Sequence, residues 1–287
     1  MEGIGLDFEI YEVGPRDGLQ SHDTITPTAV KVELIEEIAM SGIRKIEVGS
    51  LVHPEKVPNM ADSDILFKQL PHLQYDCELA MLVPNKQGVE RAKKIGVENF
   101  NVFFSPSESF NMNNHGKMSS QVFTEYCTSL DGIPKENIRV YLSCMFGCPY
   151  VGNVQQEQLE RSLRWADSLG GTIVLSDTIG SADPTLIRSI VNLTRGMGID
   201  SQLALHLHHG PRKNKMFDNL STAFDLGIRQ FDSSIGGMGG CPFVPGSGGN
   251  LSTEDLVKWA NDEGLDCGVK PEDLGTVTKY VESRIKH

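Results

Sequence analysis

Two histidines stand at alternate positions at the end of an apolar run, in the stretch Ala204-Leu-His-Leu-His208. Alternate residues of a strand point to the same side, so a strand here presents the imidazoles of His206 and His208 to one place. With oxygens from Asp17 and Asn250 they offer a divalent cation two nitrogens and two oxygens. This mixed set favours Mg²⁺ or Mn²⁺, and a zinc site with two histidines and an aspartate is the alternative. A strand end with two hydrogen-bonded histidines is the interpretation that needs no metal.

Charged side chains follow other strand-like runs and can carry acid–base chemistry. Arg16 precedes Asp17 after the first such run, Glu47 ends the second, and Asp177 follows the sixth. The permanent positive charge of Arg16 can polarise a substrate carbonyl or hold a developing enolate, or it can form only a salt bridge at the mouth of the site. Cys241 lies in a glycine-rich segment, where an accessible thiol can donate a proton or act as a nucleophile.

The elements that must position these residues recur along the chain. Eight short runs rich in β-branched and aromatic residues alternate with segments of helical periodicity. Over 287 residues this alternation predicts a (β/α)8 TIM barrel, a fold that places its active site at the carboxyl ends of the strands. A doubly wound open sheet is the alternative, but no Gly-x-Gly-x-x-Gly follows the first run. The predicted strands are 8–13, 45–48, 75–83, 100–104, 138–143, 172–176, 203–208 and 230–234.

The sequence beyond Asn250 predicts two further helices, a closing helix over 253–261 and a terminal helix from about 271 to 285. Several predicted helices end at a glycine, as at Gly96 and Gly170, which is typical of a C-cap. No segment of low complexity separates these elements. We therefore predict a single catalytic domain over 1–287, with about 264–287 as a C-terminal helical extension.

Composition limits the partners of the protein. The formal net charge is −12 and the pI is near 5.1, which argues against a nucleic-acid partner. An anionic substrate then needs a locally positive site. The apolar runs have the length of strands, so we predict no membrane span. Six scattered cysteines and a start without a hydrophobic leader predict a reduced, cytoplasmic protein.

Five segments, which together sample almost the whole chain, are similar to one family. They are EVGPRDGLQ at 12–20, IEVGSLVHPEKVPNMADSD at 46–64, LSCMFGCPYVG at 142–152, LSDTIG at 175–180 and DSSIGGMGGCPFVPGSGGNLSTEDLV at 232–257. These segments closely resemble 3-hydroxy-3-methylglutaryl-CoA (HMG-CoA) lyase. The Gly-Gly-Cys-Pro-Phe segment distinguishes the lyases from the condensing synthases of the same metal-dependent barrel superfamily.

The resemblance implies a (β/α)8 barrel, usually dimeric, that cleaves HMG-CoA to acetoacetate and acetyl-CoA with a divalent cation. It implies that Arg16 stabilises the acetyl-CoA enolate and that Cys241 or His206 helps to protonate it. The remaining assignments carried over by motif are the metal ligands Asp17, His206, His208 and Asn250, the acidic site residues Glu47 and Asp177, and the substrate-binding residues Arg16, Gln20, Ser50 and Thr178.

Two short segments depart from the family. After Gln20 the lyases usually carry an Asn-Glu-Lys-like segment whose lysine lies near the phosphates of CoA, and this chain has Ser21-His-Asp23. After His208 the family normally reads Asp-Thr-Tyr-Gly, and this chain has His209-Gly-Pro-Arg212 followed by Lys213. The first departure concerns the binding of CoA and the second concerns the acyl group.

Three functions compete at this point. The favoured one is a lyase for an HMG-CoA-like thioester, with a changed acyl part or a carrier other than free CoA as variants. The second is an aldol-type condensing transferase of the citramalate or isopropylmalate synthase kind, against which the Gly-Gly-Cys-Pro segment and the lack of a C-terminal regulatory domain both count. The third is a non-catalytic barrel, which does not explain why every ligand and acid–base position is filled.

Overall fold

Eight parallel strands close into a barrel in the computed structural model, which describes residues 5–70, 76–210, 215–240 and 248–285. Each strand pairs with the next along the chain, and β8 pairs with β1 through Glu9–Gln230 and its neighbours. The predicted (β/α)8 class is confirmed. The strands are β1 Glu9–Glu12, β2 Lys45–Ser50, β3 Glu78–Leu82, β4 Asn99–Phe104, β5 Ile138–Leu142, β6 Thr172–Ser176, β7 Gln202–His206 and β8 Gln230–Ser233.

Helices connect the strands and cover the outside of the barrel. Among the described helices, none combines the length and the apolar character needed to cross a membrane. The helices are α1 Thr28–Met40, α2 Ser63–Gln69, α3 Lys86–Ile95, α4 Glu108–His115, α5 Ser119–Ser129, α6 Gln156–Leu169, α7 Pro184–Gly196, α8 Met216–Asp225, α9 Thr253–Glu263 and α10 Gly275–Arg284.

Alternation along the strands separates an apolar outer layer from a partly polar interior. Outward residues such as Ile10 and Ile46 join one large core with the helices. Inward residues meet across the barrel: the Tyr11 hydroxyl donates to Asn101 Oδ1 at 3.1 Å, and the Arg139 guanidinium lies 4.0 Å from the centroid of the Tyr11 ring. The interior thus holds buried polar groups directly beneath the carboxyl ends of the strands.

Two of the glycines predicted as C-caps, Gly96 and Gly170, adopt different conformations. Gly96 follows α3 in the left-handed conformation, with φ 82°, and this prediction is confirmed. Gly170 also ends a helix, α6, as predicted, but in an extended conformation. A β-carbon on Gly170 would lie 2.6 Å from the carbonyl oxygen of Ile138, so the glycine allows the end of α6 to approach β5 closely.

The C-terminal helix packs back onto the first helix of the barrel. The Tyr280 hydroxyl of α10 lies 2.7 Å from Glu33 Oε2 and 3.2 Å from the carbonyl oxygen of Val30, both in α1. The predicted terminal helix begins as a short turn, Pro271–Leu274, before α10. The organisation as one domain with a helical extension stays a prediction.

Candidate active site

Two histidines and an aspartate converge at the carboxyl ends of the strands. His206 ends β7, His208 follows it, and Asp17 lies in the single turn Gly14–Gly18 after β1. One ligand atom from each of the three residues lies within 4.8 Å of the others. The Nε2 atoms of the two histidines are 2.9 Å apart, so both rings face the same point.

The hydrogen bonds of the two rings leave their lone pairs facing each other. His206 Nδ1 lies 3.1 Å from Asp232 Oδ2, and His208 Nδ1 lies 3.2 Å from the carbonyl oxygen of Thr178. Each acceptor takes the single proton of a neutral ring, so both Nε2 atoms present lone pairs. Such a pair at this separation is stabilised by a cation between the rings or by one shared proton. The arrangement therefore fits a metal site.

The pKa values of the two rings shift in opposite directions, because their neighbours differ. Burial disfavours the charged form of both imidazoles. For His206, the hydrogen bond and the charge of Asp232 outweigh burial and raise the pKa. For His208, burial and the neighbouring His206 lower the pKa to about 4, which keeps this ring neutral and able to bind a cation.

Asn250 completes the predicted ligand set. Its Nδ2 donates to Asp17 Oδ2 at 2.8 Å and to the carbonyl oxygen of Met238 at 2.9 Å, which fixes the orientation of the amide. Its Oδ1 is buried and has no hydrogen-bond partner among the described residues. The backbone of Asn250 bridges to that of His208. The structure thus brings all four predicted ligands together, with an unsatisfied oxygen of the kind that Mg²⁺ or Mn²⁺ binds.

Arg16 lies beside this cluster between two carboxylates. Its Nε donates to Glu47 Oε2 and its terminal nitrogen donates to Asp17 Oδ1, both at 2.5 Å. Gln20 Nε2 also donates to Asp17 Oδ1, at 2.7 Å. Burial alone would raise the pKa of Asp17, but the charge of Arg16, supported by the two histidines, lowers it to about 2. Asp17 is therefore an anion at neutral pH.

Two predicted acidic residues lie behind the surface of the site. Glu47 is fully buried, and Asn101 Nδ2 donates to its second carboxylate oxygen at 2.8 Å. Asp177 accepts from the backbone amides of Ser181 and Ala182, each at 2.9 Å. Burial raises the pKa of both carboxyls. Their oxygens bond to the protein, and neither residue lines the cavity described next.

A cavity of about 530 Å³ opens above the cluster. Its walls combine apolar side chains such as Val52, Leu82 and Phe110 with polar groups. The predicted substrate-binding residues all line it, namely Arg16, Gln20, Ser50 and Thr178, together with Asp17, His206 and His208. A volume of this size suits a small ligand or part of a larger one.

The glycine-rich segment after β8 runs against the ligands. Gly239 has φ 92°, and a β-carbon there would lie 2.7 Å from Asn250 Nδ2 and 2.9 Å from the carbonyl oxygen of Asp17. Only glycine permits this approach together with this conformation. Gly240 lines the cavity, and the next residue, Cys241, lies outside the described residues.

The two departing segments also border the site. Ser21 lines the central cavity. After His208, only His209 and Gly210 of the second segment are described, and Pro211, Arg212 and Lys213 lie outside. His209 and Gly210 line a neighbouring cavity of about 280 Å³, which shares His208 with the central one.

Asp232 and Arg139 support the cluster and were not predicted. Asp232 Oδ2 contacts His206 Nδ1, and Asp232 Oδ1 accepts from Arg139 at 2.5 Å. The second arm of the Arg139 guanidinium donates to Gln230 Oε1 at 2.6 Å. The sequence signal was a charged residue at an inward position of a strand, as in Ile138-Arg-Val and Phe231-Asp-Ser. A buried carboxylate behind a ligating histidine orients the ring and increases its basicity.

The fold and the site define a (β/α)8-barrel protein with a candidate cation centre where enzymes of this fold place their active sites. The HMGL-like family model matches residues 7–281. The chain belongs to the HMGL-like family, and it is an enzyme of the lyase class.

Relatives with this fold are similar over most of the chain. A hydroxymethylglutaryl-CoA lyase of Pseudomonas mevalonii is 36% identical, over 96% of this chain and 92% of the relative. An (R)-citramalyl-CoA lyase of Chloroflexus aurantiacus is 33% identical, over 91% of this chain and 85% of the relative. A solved HMG-CoA lyase of Acinetobacter baumannii, in complex with coenzyme A and 3-methylmalate, is 31% identical with a TM-score of 0.88, over 98% of this chain and 92% of that one.

Proposed function

We propose that the protein is a divalent-metal-dependent carbon–carbon lyase that cleaves HMG-CoA, or a related 3-hydroxy-3-alkyl acyl thioester, to acetyl-CoA and a keto acid, which is a 3-keto acid when HMG-CoA is the substrate. The observation that carries this proposal is the convergence of Asp17, His206, His208 and Asn250 beside Arg16 at one cavity. The lyase names of the relatives support the reaction, and the complex with coenzyme A supports the thioester.

The ligand set supports Mg²⁺ or Mn²⁺ as the cofactor, because two of its four donors are oxygens and no thiolate contributes. When bound, such a cation polarises substrate oxygens and stabilises negative charge on them. Asp232 and the carbonyl oxygen of Thr178 hold the histidine rings in the tautomer that leaves Nε2 free for the metal.

The cleavage balances as a retro-aldol reaction, and residues of the chain account for stabilising and protonating the enolate. A base removes the proton of the 3-hydroxyl group, the bond between C2 and C3 breaks, and its electron pair stays on the thioester fragment as an enolate. The guanidinium of Arg16 stabilises that enolate, and Glu47 holds Arg16 in place. A proton delivered to C2 by Cys241 or His206 then gives acetyl-CoA.

We propose a class of substrates and not a single one: thioesters whose acyl group carries a tertiary alcohol at C3. A relative named (R)-citramalyl-CoA lyase supports a second member of this class. The segment after His208 favours a difference in acyl group, because a β-carbon on Gly210 would clash with the carbonyl oxygen of Gly180. A larger residue at Gly210 would force the two segments apart beside the metal ligands.

The test incubates the purified protein with Mg²⁺ and either HMG-CoA or citramalyl-CoA and measures acetoacetate or pyruvate. We expect turnover of at least one thioester, and Asp17→Asn should lower kcat about a thousandfold, because it removes an anionic metal ligand. Asp262→Asn is the matched control, since Asp262 pairs only with the exposed Lys258 among the described residues. Absence of cleavage, or equal rates for Asp17→Asn and the wild type, would refute the proposal.

We also propose a cytoplasmic homodimer without a nucleic-acid or membrane partner. The five cysteines in the described residues are all free thiols, which supports a reducing compartment. The net charge of −12 argues against binding to nucleic acid. Sedimentation equilibrium should give twice the 31.6 kDa mass of the chain, and a single-chain mass would refute the dimer.

A further inference from the structure

A CoA thioester brings several phosphate charges to a protein that is itself strongly anionic. The formal net charge of the chain is −12, so binding needs a positive group at the cavity. The segment Ser21-His-Asp23 supplies no lysine there. The question is which described residue provides the charge.

Lys56 is the cation that the cavity leaves unpaired. Arg16 and Lys56 are the arginine and lysine side chains that line the cavity within the described residues. Arg16 is neutralised by Asp17 and Glu47. Lys56 forms no ion pair with any residue in the described parts of the chain. Its charge is therefore available to an anionic ligand.

The backbone that carries Lys56 is anchored. The amide of Lys56 donates to the carbonyl oxygen of His53 at 3.0 Å, in a turn after β2. The next turn, Pro58–Met60, contains the buried Asn59. Because these turns are fixed, the lysine extends from a defined position.

Asn59 also ties this loop to the departing segment. Its Nδ2 donates to the carbonyl oxygen of His22 at 2.8 Å, and its Oδ1 accepts from the amide of Thr26 at 2.8 Å. The segment that lacks a lysine and the loop that carries Lys56 are thus neighbours. The loop that carries Lys56 can therefore supply the positive charge that the segment Ser21-His-Asp23 lacks, to a ligand bound in the same place.

The cavity connects Lys56 with the cation cluster, the candidate metal ligands Asp17, His206, His208 and Asn250 described above. Lys56 follows β2, whereas His206 ends β7, and these strands are separated in the closed barrel by β1 and β8. Apolar side chains that suit an uncharged pantetheine arm line the same cavity, namely Val52, Val57, Leu82, Phe103 and Phe110. A thioester placed at the cluster can therefore extend along an apolar wall towards Lys56.

We propose that Lys56 binds a phosphate group of the CoA carrier and so selects acyl-CoA over phosphate-free thioesters. The inference rests on the proposed function, because it takes the thioester as substrate. An ammonium group on a flexible stem binds phosphate as a point charge, with charge-assisted hydrogen bonds. Lys56 acts on carrier binding and does not touch the bond that breaks.

The test compares Lys56→Met with Lys56→Arg and Lys117→Met. Lys117 lines a separate, smaller cavity of about 130 Å³ that Lys56 also borders, but its charge is already paired with Glu125, so Lys117→Met is the matched control. Calorimetric titration with free CoA should show about a tenfold or greater loss of affinity for Lys56→Met. Lys56→Arg should retain affinity within about threefold, and Lys117→Met should bind like the wild type.

Substrate analogues identify the contact and separate the two proposals. With acyl-CoA, Lys56→Met should raise KM about tenfold with kcat within about twofold of wild type, whereas with the acyl-pantetheine it should bind and turn over like the wild type. A loss confined to CoA and absent with dephospho-CoA assigns the 3′-phosphate, and an equal loss with both assigns the pyrophosphate. Unchanged CoA affinity, or an equal loss with acyl-pantetheine, would overturn the role of Lys56. Weaker CoA binding by Lys56→Met without any turnover by the wild type would refute the lyase reaction alone.

Discussion

Two buried arginines serve the two sides of the cation cluster in different ways. Arg16 lines the cavity and contacts Asp17 directly, while Glu47 holds it from behind. Arg139 lies inside the barrel and is linked to the cluster through Asp232 and His206. Asp17 beside Arg16 and Asp232 beside Arg139 both have a lowered pKa. Burial raises it in each case, and the arginine charge outweighs burial only together with the neighbouring histidine side chains and the hydrogen bonds. Their positions predict that Arg16 acts on the substrate and Arg139 acts on the geometry of a ligand.

The largest effect is expected on stability, from Arg139→Met. This substitution leaves Asp232 buried without its cation, which should lower the free energy of unfolding by about 3–5 kcal/mol. Urea unfolding followed by circular dichroism measures the change. The double variant Arg139→Met with Asp232→Asn should recover much of the loss, since it removes the stranded charge. A loss below about 1 kcal/mol in the single variant would contradict this interpretation.

Arg16→Gln should act mainly on the chemical step. Loss of a positive group that stabilises a developing enolate should lower kcat about a hundred- to a thousandfold. Because Arg16 contributes no ligand, Mn²⁺ should still bind, as measured by electron paramagnetic resonance. If kcat is retained and only Mn²⁺ affinity falls, Arg16 acts like Arg139 and the contrast between them is lost.

Asp232→Asn should show the opposite pattern. An asparagine amide can donate to His206 Nδ1, which would move the ring proton to Nε2 and block the metal. We expect Mn²⁺ affinity to fall about 10- to 100-fold, with kcat restored in part at saturating metal. Gln230→Met is an uncharged control in the same buried layer, because Arg139 and Asp232 both lie between Gln230 and the histidine, and its Mn²⁺ affinity should match wild type. Equal metal affinity for Asp232→Asn and wild type would exclude a role for Asp232 in ligand orientation.

Glu12 extends the comparison to a buried carboxyl without an arginine. Its Oε1 accepts from the amides of Gly14 and Ile235, and its Oε2 lies 2.5 Å from Thr253 Oγ1. Burial raises the pKa of Glu12 to about 7, and its hydrogen bonds only partly offset that effect. Without a cation beside it, this carboxyl keeps its proton near neutral pH, unlike Asp17 and Asp232.

The raised pKa of Glu12 predicts the smallest effect, a pH dependence of stability. Between the ordinary value of 4.5 and about 7, the folded state binds more protons than the unfolded state. Stability from Glu12 should therefore fall as pH rises through this window, by about 1–2 kcal/mol between pH 5 and 7. Glu12→Gln imitates the protonated carboxyl, so its free energy of unfolding should fall less over this range. Parallel pH profiles for the variant and the wild type would show that Glu12 does not titrate in this window.

Much of the fold could be predicted from the periodicity of apolar residues. The errors of prediction lie at the ends of strands, where the pairing partner changes. Strand 172–176 has the predicted bounds. The seventh strand was predicted to reach His208 but ends at His206, because His208 bridges to Asn250 outside the barrel sheet. The hydrophobic pattern determines which residues face the core. The last paired residue of a strand depends on where the adjacent strand ends, which that pattern does not show.

The convergence of the ligands was predictable from residue types at strand ends, but the depth of the acidic residues was not. Asp17 follows β1 and Glu47 lies within the neighbouring β2, and only the structure shows that Asp17 lines the cavity and Glu47 supports Arg16. Arg139 and Asp232 escaped prediction because their strands were identified by apolar content, and the inward charges were not considered separately. The contribution of a side chain depends on the partners that surround it, and a linear pattern does not display them.

The pairing of β1 with β8 has a consequence for how the protein is made. Synthesis on the ribosome releases β1 first, yet the strand that completes its sheet ends at Ser233. The cation cluster needs Asp17 from the beginning of the chain and Asn250 from near its end. A nascent chain therefore carries the acidic half of its site through most of translation before the histidines and the amide arrive. Contacts at such long sequence separation slow the final closure, and the four proposed ligands come together only after the chain has emerged beyond Asn250.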